Sequence, residues 1–185
     1  MKDLFEHITK KFEDGLSGAW VLQEDKYEAE FAKALDMELA GSRQGDCLWT
    51  QPATGDKHII ELKKGQRHFH FDLVRYSEYL LNPQGVSIIT VLGVYKKDKK
   101  DSGSLLELHA VKVSDLLERL HLNPDDAQNI VNIAKKIREA GSRKLENGAE
   151  KAGRNVLMPY YLTKKEVAQI EGLHCYKKVV KKQLE

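Results

Sequence analysis

The chain is 185 residues long, with 41% hydrophobic and 31% charged side chains and a formal net charge of +2, which suits one soluble domain able to bury a real core. No stretch approaches the roughly 18–20 apolar residues of a membrane span, and the charged amino-terminal segment lacks a secretory apolar region, so no membrane association and a cytoplasmic location are expected. Two cysteines, Cys47 and Cys175, lie far apart without paired spacing, which suggests neither a disulfide framework nor a zinc motif.

In chain order, residues 2–13 read as an amphipathic helix with Leu4, Phe5, Ile8 and Phe12 on one stripe, closed by Gly15. A second helix is expected over about 24–40, with Tyr27, Phe31, Ala34 and Leu35 inward and Gly41 as its stop. Residues 46–50 and 57–63 are β-favouring runs separated by the turn-rich Pro52-Ala53-Thr54-Gly55-Asp56, which predicts a hairpin. Residues 71–81 read as a helix ended by Asn82-Pro83. The nearly continuous β-rich run from Val86 to Tyr95 predicts a central strand covered on both faces. Lys96 to Ser104 reads as a charged loop, and Leu105 to Val113 as another strand. A short helix opens at Ser114-Asp115, and a longer one runs from Pro124 to about Ala140, where Gly141 ends it. Residues 142–155 are polar and glycine-punctuated and read as the longest loop; Val156 to Leu162 returns to strand character, and a basic helix is expected from Thr163 onward.

The chemistry concentrates at Gly45-Asp46 and, fourteen residues beyond Asp46, at the run beginning Ile59-Ile60-Glu61-Leu62-Lys63. Alternation along a strand puts Ile59, Glu61 and Lys63 on one face and Ile60 and Leu62 on the other. Folding the hairpin about Gly55 brings Asp46 opposite position 63 or 64, with a slip of one or two residues left open. Two carboxylates and an ammonium would then share one patch. Buried together, Asp46 and Glu61 would repel and raise one pKa unless a cation sat between them. Oxygen ligands with no nearby cysteine cluster favour Mg2+, or Mn2+, over zinc. In a phosphodiester site such an ion would stabilise charge on the phosphate and leaving oxygen while Lys63 orients or deprotonates water. The plain alternative is an exposed Glu61–Lys63 ion pair on an edge strand, worth less than about 1 kcal/mol.

Asp46, Glu61 and Lys63 resemble the motif of the PD-(D/E)XK nuclease superfamily, with Gly45 in place of the proline of its name. The order of helix, Gly-Asp, turn, apolar strand ending in Glu-Leu-Lys, helix and apolar strand is similar to that family's core over roughly residues 24–113. The resemblance implies a restriction-endonuclease-like α/β fold with a mixed central sheet flanked by helices. It also implies a carboxylate on the preceding helix, for which Glu28 is the choice and Glu30 the reserve. Asp46 and Glu61 would hold Mg2+, Lys63 would position the nucleophilic water, and Glu28 would support a second ion or a water. Cleavage would leave a 5′-phosphate and a 3′-hydroxyl.

Residues 1–93 hold 11 basic against 15 acidic side chains and residues 94–185 hold 19 against 13, so the second half is the better candidate for gripping phosphates. The region after 113 is expected to be helical and basic. Arg143, Lys144, Lys151, Arg154 and Asn155 in the long loop have side chains that contact phosphates or base edges, although a solvated loop is an equal alternative. Gln66 and Arg67, just beyond Lys63, could orient a phosphate. His68-Phe69-His70-Phe71 would aim both histidines one way, but no third ligand stands at diagnostic spacing, so a polar face or a phosphate contact is favoured over a metal.

The expectation is a single domain over 1–185 that cleaves double-stranded DNA. The absence of a separate DNA-binding domain leans toward a type II restriction enzyme, which would usually dimerise to cut both strands. A repair, phage or junction-processing nuclease and a non-catalytic nucleic-acid-binding module remain the alternatives.

Overall fold

The computed structural model describes residues 2–13, 19–21, 24–40, 45–82, 87–99, 102–140, 150–152 and 155–177. The elements in chain order are α1 (Lys2–Glu13), β1 (Ala19–Val21), α2 (Glu24–Ala34), β2 (Glu38–Leu39), β3 (Cys47–Thr50), β4 (Lys57–Gly65) and β5 (His68–Asp72). There follow α3 (Leu73–Leu81), β6 (Ser87–Lys99), β7 (Ser102–Lys112), α4 (Val113–Arg119), α5 (Pro124–Ala140), β8 (Glu150–Ala152), β9 (Asn155–Leu157), β10 (Pro159–Thr163), α6 (Lys164–Val167) and β11 (His174–Lys177).

A seven-stranded mixed sheet runs in the order β1-β7-β6-β4-β3-β2, with β11 also paired to β7. The β4–β6 pair is parallel, joined through β5 and α3, while β3–β4 and β6–β7 are antiparallel. Two small pairs, β5–β10 and β8–β9, lie outside this sheet. The protein is therefore α/β, a mixed central sheet flanked by helices. No helix among the described residues is long and apolar enough to cross a membrane.

Alternation along the central strands divides the core. Ile60, Leu62, Ile89, Val91, Leu108 and Ala110 face Leu4, Phe5 and Ile8 of α1 and Tyr27 and Phe31 of α2. Leu92, Val94 and Val111 face the other way, onto Tyr76 of α3, Leu116 of α4 and the phenylalanines of β5. The second layer extends outward where Val74 of α3 packs on Ala134 and Ile137 of α5. Burial of each Val, Leu, Ile or Phe among these side chains is worth about 1.5–3 kcal/mol, and β6, apolar on both faces, is the strand that both layers share.

Several expectations need correction. The second helix ends at Ala34 rather than near residue 40. Asp36 takes a left-handed φ of 50° and the Met37 N–H donates to the Ala32 carbonyl at 2.8 Å, a helix stop made without glycine. The third helix begins at Leu73, because residues 68–72 form β5 and Asp72 caps the helix by accepting from the Val74 N–H at 3.1 Å. The segment 96–104 is not simply a charged loop, since β6 continues to Lys99 and β7 starts at Ser102. Among the described residues the region after 113 holds α4, α5 and the four-residue α6, and beside them the short strands β8, β9, β10 and β11. The β8–β9 pair lies within the expected loop of 142–155, and among the described residues from Thr163 onward the basic segment forms α6 and then β11 in place of one helix.

The turn from β4 to β5 fixes where α3 begins. A Cβ on Gly65 would lie 2.0 Å from the His68 carbonyl oxygen, and backbone cannot yield as a flexible side chain can. Gly65→Ala is expected to lower the urea midpoint, with a loss of at least the roughly 1–3 kcal/mol of overpacking; an unchanged midpoint would mean that the turn does not hold this approach.

Candidate active site

The β3–β4 hairpin turns between Ala53 and Thr54. Gln51 N–H donates to the Asp56 carbonyl and Gly55 N–H to the Gln51 carbonyl, both at 2.8 Å. Thr50 therefore pairs with Lys57 and Cys47 with Ile60, and the Asp46 N–H donates to the Ile60 carbonyl at 3.0 Å. Asp46 consequently stands beside Glu61, two residues short of position 63 and within the slip that folding about Gly55 leaves open. Its Oδ2 accepts the Leu62 N–H at 2.7 Å, which locks the carboxylate against β4.

Gly45 stands where the motif that the sequence resembles has proline, and its backbone excludes that residue. Its φ is +89°, whereas proline is held near −65°. A Cβ there would also come within 2.4 Å of Ile59 Cγ2. The chain turns into Asp46 by a route open to glycine and closed to proline.

Glu61 is fully buried on a central strand, which rules out the exposed edge-strand ion pair. Lys63 Nζ donates to its Oε2 at 3.3 Å. Two residues that the sequence reading did not assign to the site complete it from α3. Arg75 Nη1 donates to both Glu61 oxygens at 3.1 Å and lies 3.6 Å from Asp46 Oδ1. The Tyr79 hydroxyl donates to Glu61 Oε1. Their spacing of four residues was the available signal, since it puts both on one face of the helix that follows the Glu-Leu-Lys strand. Tyr76, on the neighbouring face, shares a buried hydrogen bond of 2.9 Å with Thr90 of β6 and so seats the helix.

The charges act on one another. The Asp46 carboxyl is held above its ordinary pKa by burial and then by Glu61, with Lys63, the Leu62 N–H and Arg75 opposing. Burial works against the Arg75 charge, yet Glu61, Tyr79 and Asp46 raise its pKa on balance. Burial followed by Glu61 pushes the Tyr79 phenol upward. The Cys47 thiol is pushed up to about 12 by burial and then by Asp46, Glu28 and Glu61, which puts Glu28, half-buried on α2, within electrostatic reach of the same neighbourhood. Glu30 is exposed.

Two carboxylates of this kind suit a hard divalent ion by donor type. Arg75 Nη1 now bridges them, and Asp46, Glu61, Lys63 and Arg75 together carry no net formal charge. An ion engaging both carboxylates would have to draw Arg75 away, and Arg75 is the most exposed of the four, with 34% of its side chain accessible. The donor set fits, with that displacement as its condition.

Gln66 and Arg67 are exposed in the tight turn beyond Lys63. Lys151 and Asn155 belong to β8 and β9, and their side chains lie outside the described residues, as do Arg143, Lys144 and Arg154 entirely. The alternation read in residues 68–71 holds: Phe69 and Phe71 are buried while His68 and His70 are exposed, and His70 stacks on Tyr161 of β10 with ring centroids 5.1 Å apart.

No protein-family model matches the chain, and no curated protein or solved structure is significantly similar to it.

A carboxyl whose folded pKa exceeds its unfolded value holds its proton more tightly in the fold, so Asp46 loses stabilisation as pH rises from the ordinary aspartate range of about 4 through its raised folded value. In EDTA, Asp46→Asn is expected to be more stable than the native chain at neutral pH by on the order of 1 kcal/mol. That gain should fade as pH falls below the ordinary range. Urea midpoints across pH test this, and a gain that persisted in acid would contradict the assigned electrostatics.

Proposed function

We propose that the chain is a metal-dependent nuclease that hydrolyses DNA phosphodiester bonds, a restriction-endonuclease-like enzyme of the PD-(D/E)XK kind. The observation that carries this is the convergence of Asp46 and Glu61 on one side of the β3–β4 hairpin with Lys63 Nζ 3.3 Å from Glu61. Asp46 and Glu61 would hold Mg2+, which when bound supplies positive charge to the scissile phosphate and the departing oxygen.

The chain's own residues do the rest. Lys63, anchored to Glu61 and to the Leu62 carbonyl at 3.2 Å, orients the attacking water and relays its proton. Water adds at phosphorus as the bond from phosphorus to the 3′ oxygen breaks, leaving a 5′-phosphate and a 3′-hydroxyl. Arg75, released from the carboxylates, has the planar fork that suits a phosphate. Gln66 and Arg67 extend a polar, cationic rim beyond Lys63. Glu28 supports the carboxylate set from α2. A type II restriction enzyme working as a homodimer is the preferred form, with repair, phage or junction cutting as the variant inside the same class.

One observation favours a second reading, a nucleic-acid-binding module without catalysis. The Arg75 bridge gives the site electroneutrality without an ion, so nothing in the fold's charge balance compels metal binding.

Supercoiled plasmid and long linear DNA incubated with the protein over a magnesium series separate the two. Discrete fragments, with the rate reduced at least about 100-fold in Asp46→Ala and Lys63→Ala, are the expected result. DNA left intact at every magnesium concentration, with binding unaffected by magnesium, would sink the nuclease in favour of the binding module.

Arg75→Ala supplies an independent check. Leaving Glu61 buried without its guanidinium should destabilise the metal-free protein by about 3 kcal/mol. Magnesium should then raise the thermal midpoint of Arg75→Ala more than that of the native chain, because no internal cation has to move. Equal shifts would mean that the ion does not compete with Arg75.

A further inference from the structure

A second donor cluster stands on the same face of the sheet as Glu61 and Lys63, away from the candidate active site. Lys63 pairs with Leu92 of β6, and Leu92 with His109 of β7, so His109 lies two strands across, roughly 10 Å by the usual spacing of about 4.8 Å. Cys175 of β11 is paired directly with His109, and Glu107 is two residues back along β7. Residues opposite one another in an antiparallel pair, and residues two apart on one strand, share a face. The side chains of Glu107, His109 and Cys175 therefore meet, and their donor atoms all lie within 4.8 Å of one another.

We propose that Glu107, His109 and Cys175 bind a zinc ion that clasps β11 onto β7. An imidazole nitrogen, a thiolate and one carboxylate oxygen form a mixed set that selects a borderline transition ion over Mg2+. The dimensions agree. With ordinary zinc bond lengths, tetrahedral ligand atoms stand about 3.3–3.6 Å apart, and His109 Nε2 is already 3.1 Å from Glu107 Oε2. Lys164 Nζ donates to the other carboxylate oxygen at 2.6 Å and orients Glu107 as an outer partner does for a metal-bound carboxylate.

Burial is graded across the set. His109 is in the core, Glu107 is half-buried and Cys175 is exposed. An ion could enter from the Cys175 side, where water would complete the fourth position. Binding converts the thiol to thiolate and releases its proton to solvent.

The strand itself gives the ion a task. On the opposite face of β11, His174 stacks on Phe5 with ring centroids 3.7 Å apart, and the Tyr176 hydroxyl donates to the Phe5 carbonyl at 3.2 Å. Those contacts hold β11 to α1. Zinc on Cys175 would hold the other face to β7, so that a four-residue strand is fastened on both sides. Linear spacing gives no sign of this site, because its ligands come together only through strand pairing.

The full-length protein, stripped with chelator and titrated with Co2+ as a spectroscopic probe for zinc, tests the assignment. One equivalent of cobalt should produce a thiolate-to-cobalt charge-transfer band in the near ultraviolet, and one equivalent of zinc should bleach it and raise the thermal midpoint. Cys175→Ser, a change at an exposed position, should abolish the band. Glu107→Gln should weaken zinc binding by more than the roughly 10–100-fold that loss of an outer partner produces. Asp46→Ala should keep the band, which separates this site from the proposed nuclease centre. Absence of the band in the native protein, its survival in Cys175→Ser, or zinc affinity unchanged in Glu107→Gln would overturn the proposal.

Discussion

Glu61 is a carboxylate with no exposed surface on a strand in the middle of the sheet. An ionised group so placed is tolerated only when its oxygens are occupied by charged or strongly polar donors. Arg75, Tyr79 and Lys63 satisfy that requirement, and two of the three come from α3. The charge thereby dictates how α3 lies on β4, and the apolar contacts of Tyr76 and Val74 follow from that placement. Replacing a whole buried ion set by well-packed hydrophobic residues is often neutral or stabilising, whereas removing Glu61 alone would leave Arg75 and Lys63 without their carboxylate.

Most of the sheet was legible in the sequence because its strands follow simple alternation. The division of Ile59, Glu61 and Lys63 from Ile60 and Leu62 needed only the strand period, and β6 announced itself by being apolar on both faces. Proline at position 124 and the periodic residues to Ala140 gave α5 its bounds. What escaped the sequence depended on backbone states that carry no compositional mark. The Asp36 helix stop uses a left-handed aspartate where glycine was sought. The pairing of Asp46 with Glu61 depends on which residues of 51–56 form the turn, and a shift in that choice moves every partner along β3. The spacing of Arg75 and Tyr79 marks one helix face, but only the tertiary crossing of α3 over β4 turns that face onto Glu61.

The two donor sets sort metals by chemistry. Asp46 and Glu61 offer oxygen alone and are neutralised by an internal guanidinium that must yield before an ion enters. Glu107, His109 and Cys175 offer oxygen, nitrogen and sulfur together. One sheet face can then carry a weakly held, exchangeable hard ion and a firmly held borderline one without exchange between them. A strong chelator would compete for ions at either set, so a chelator alone would not tell the two proposed sites apart.

The contact between Tyr176 and Phe5 joins residues 171 positions apart, whereas Asp46, Glu61, Arg75 and Tyr79 all come from one short span. Loop-closure entropy grows with separation, and contacts between distant segments form after local ones have shortened the chain between them. The β3–β4–α3 unit therefore builds its charged cluster from local contacts, whereas the contact between β11 and α1 must close nearly the whole chain. No residue of that cluster lies on β11, so local opening of this strand would leave the cluster's partners in place. The carboxylate cluster would remain intact in a species whose sheet is already one strand short.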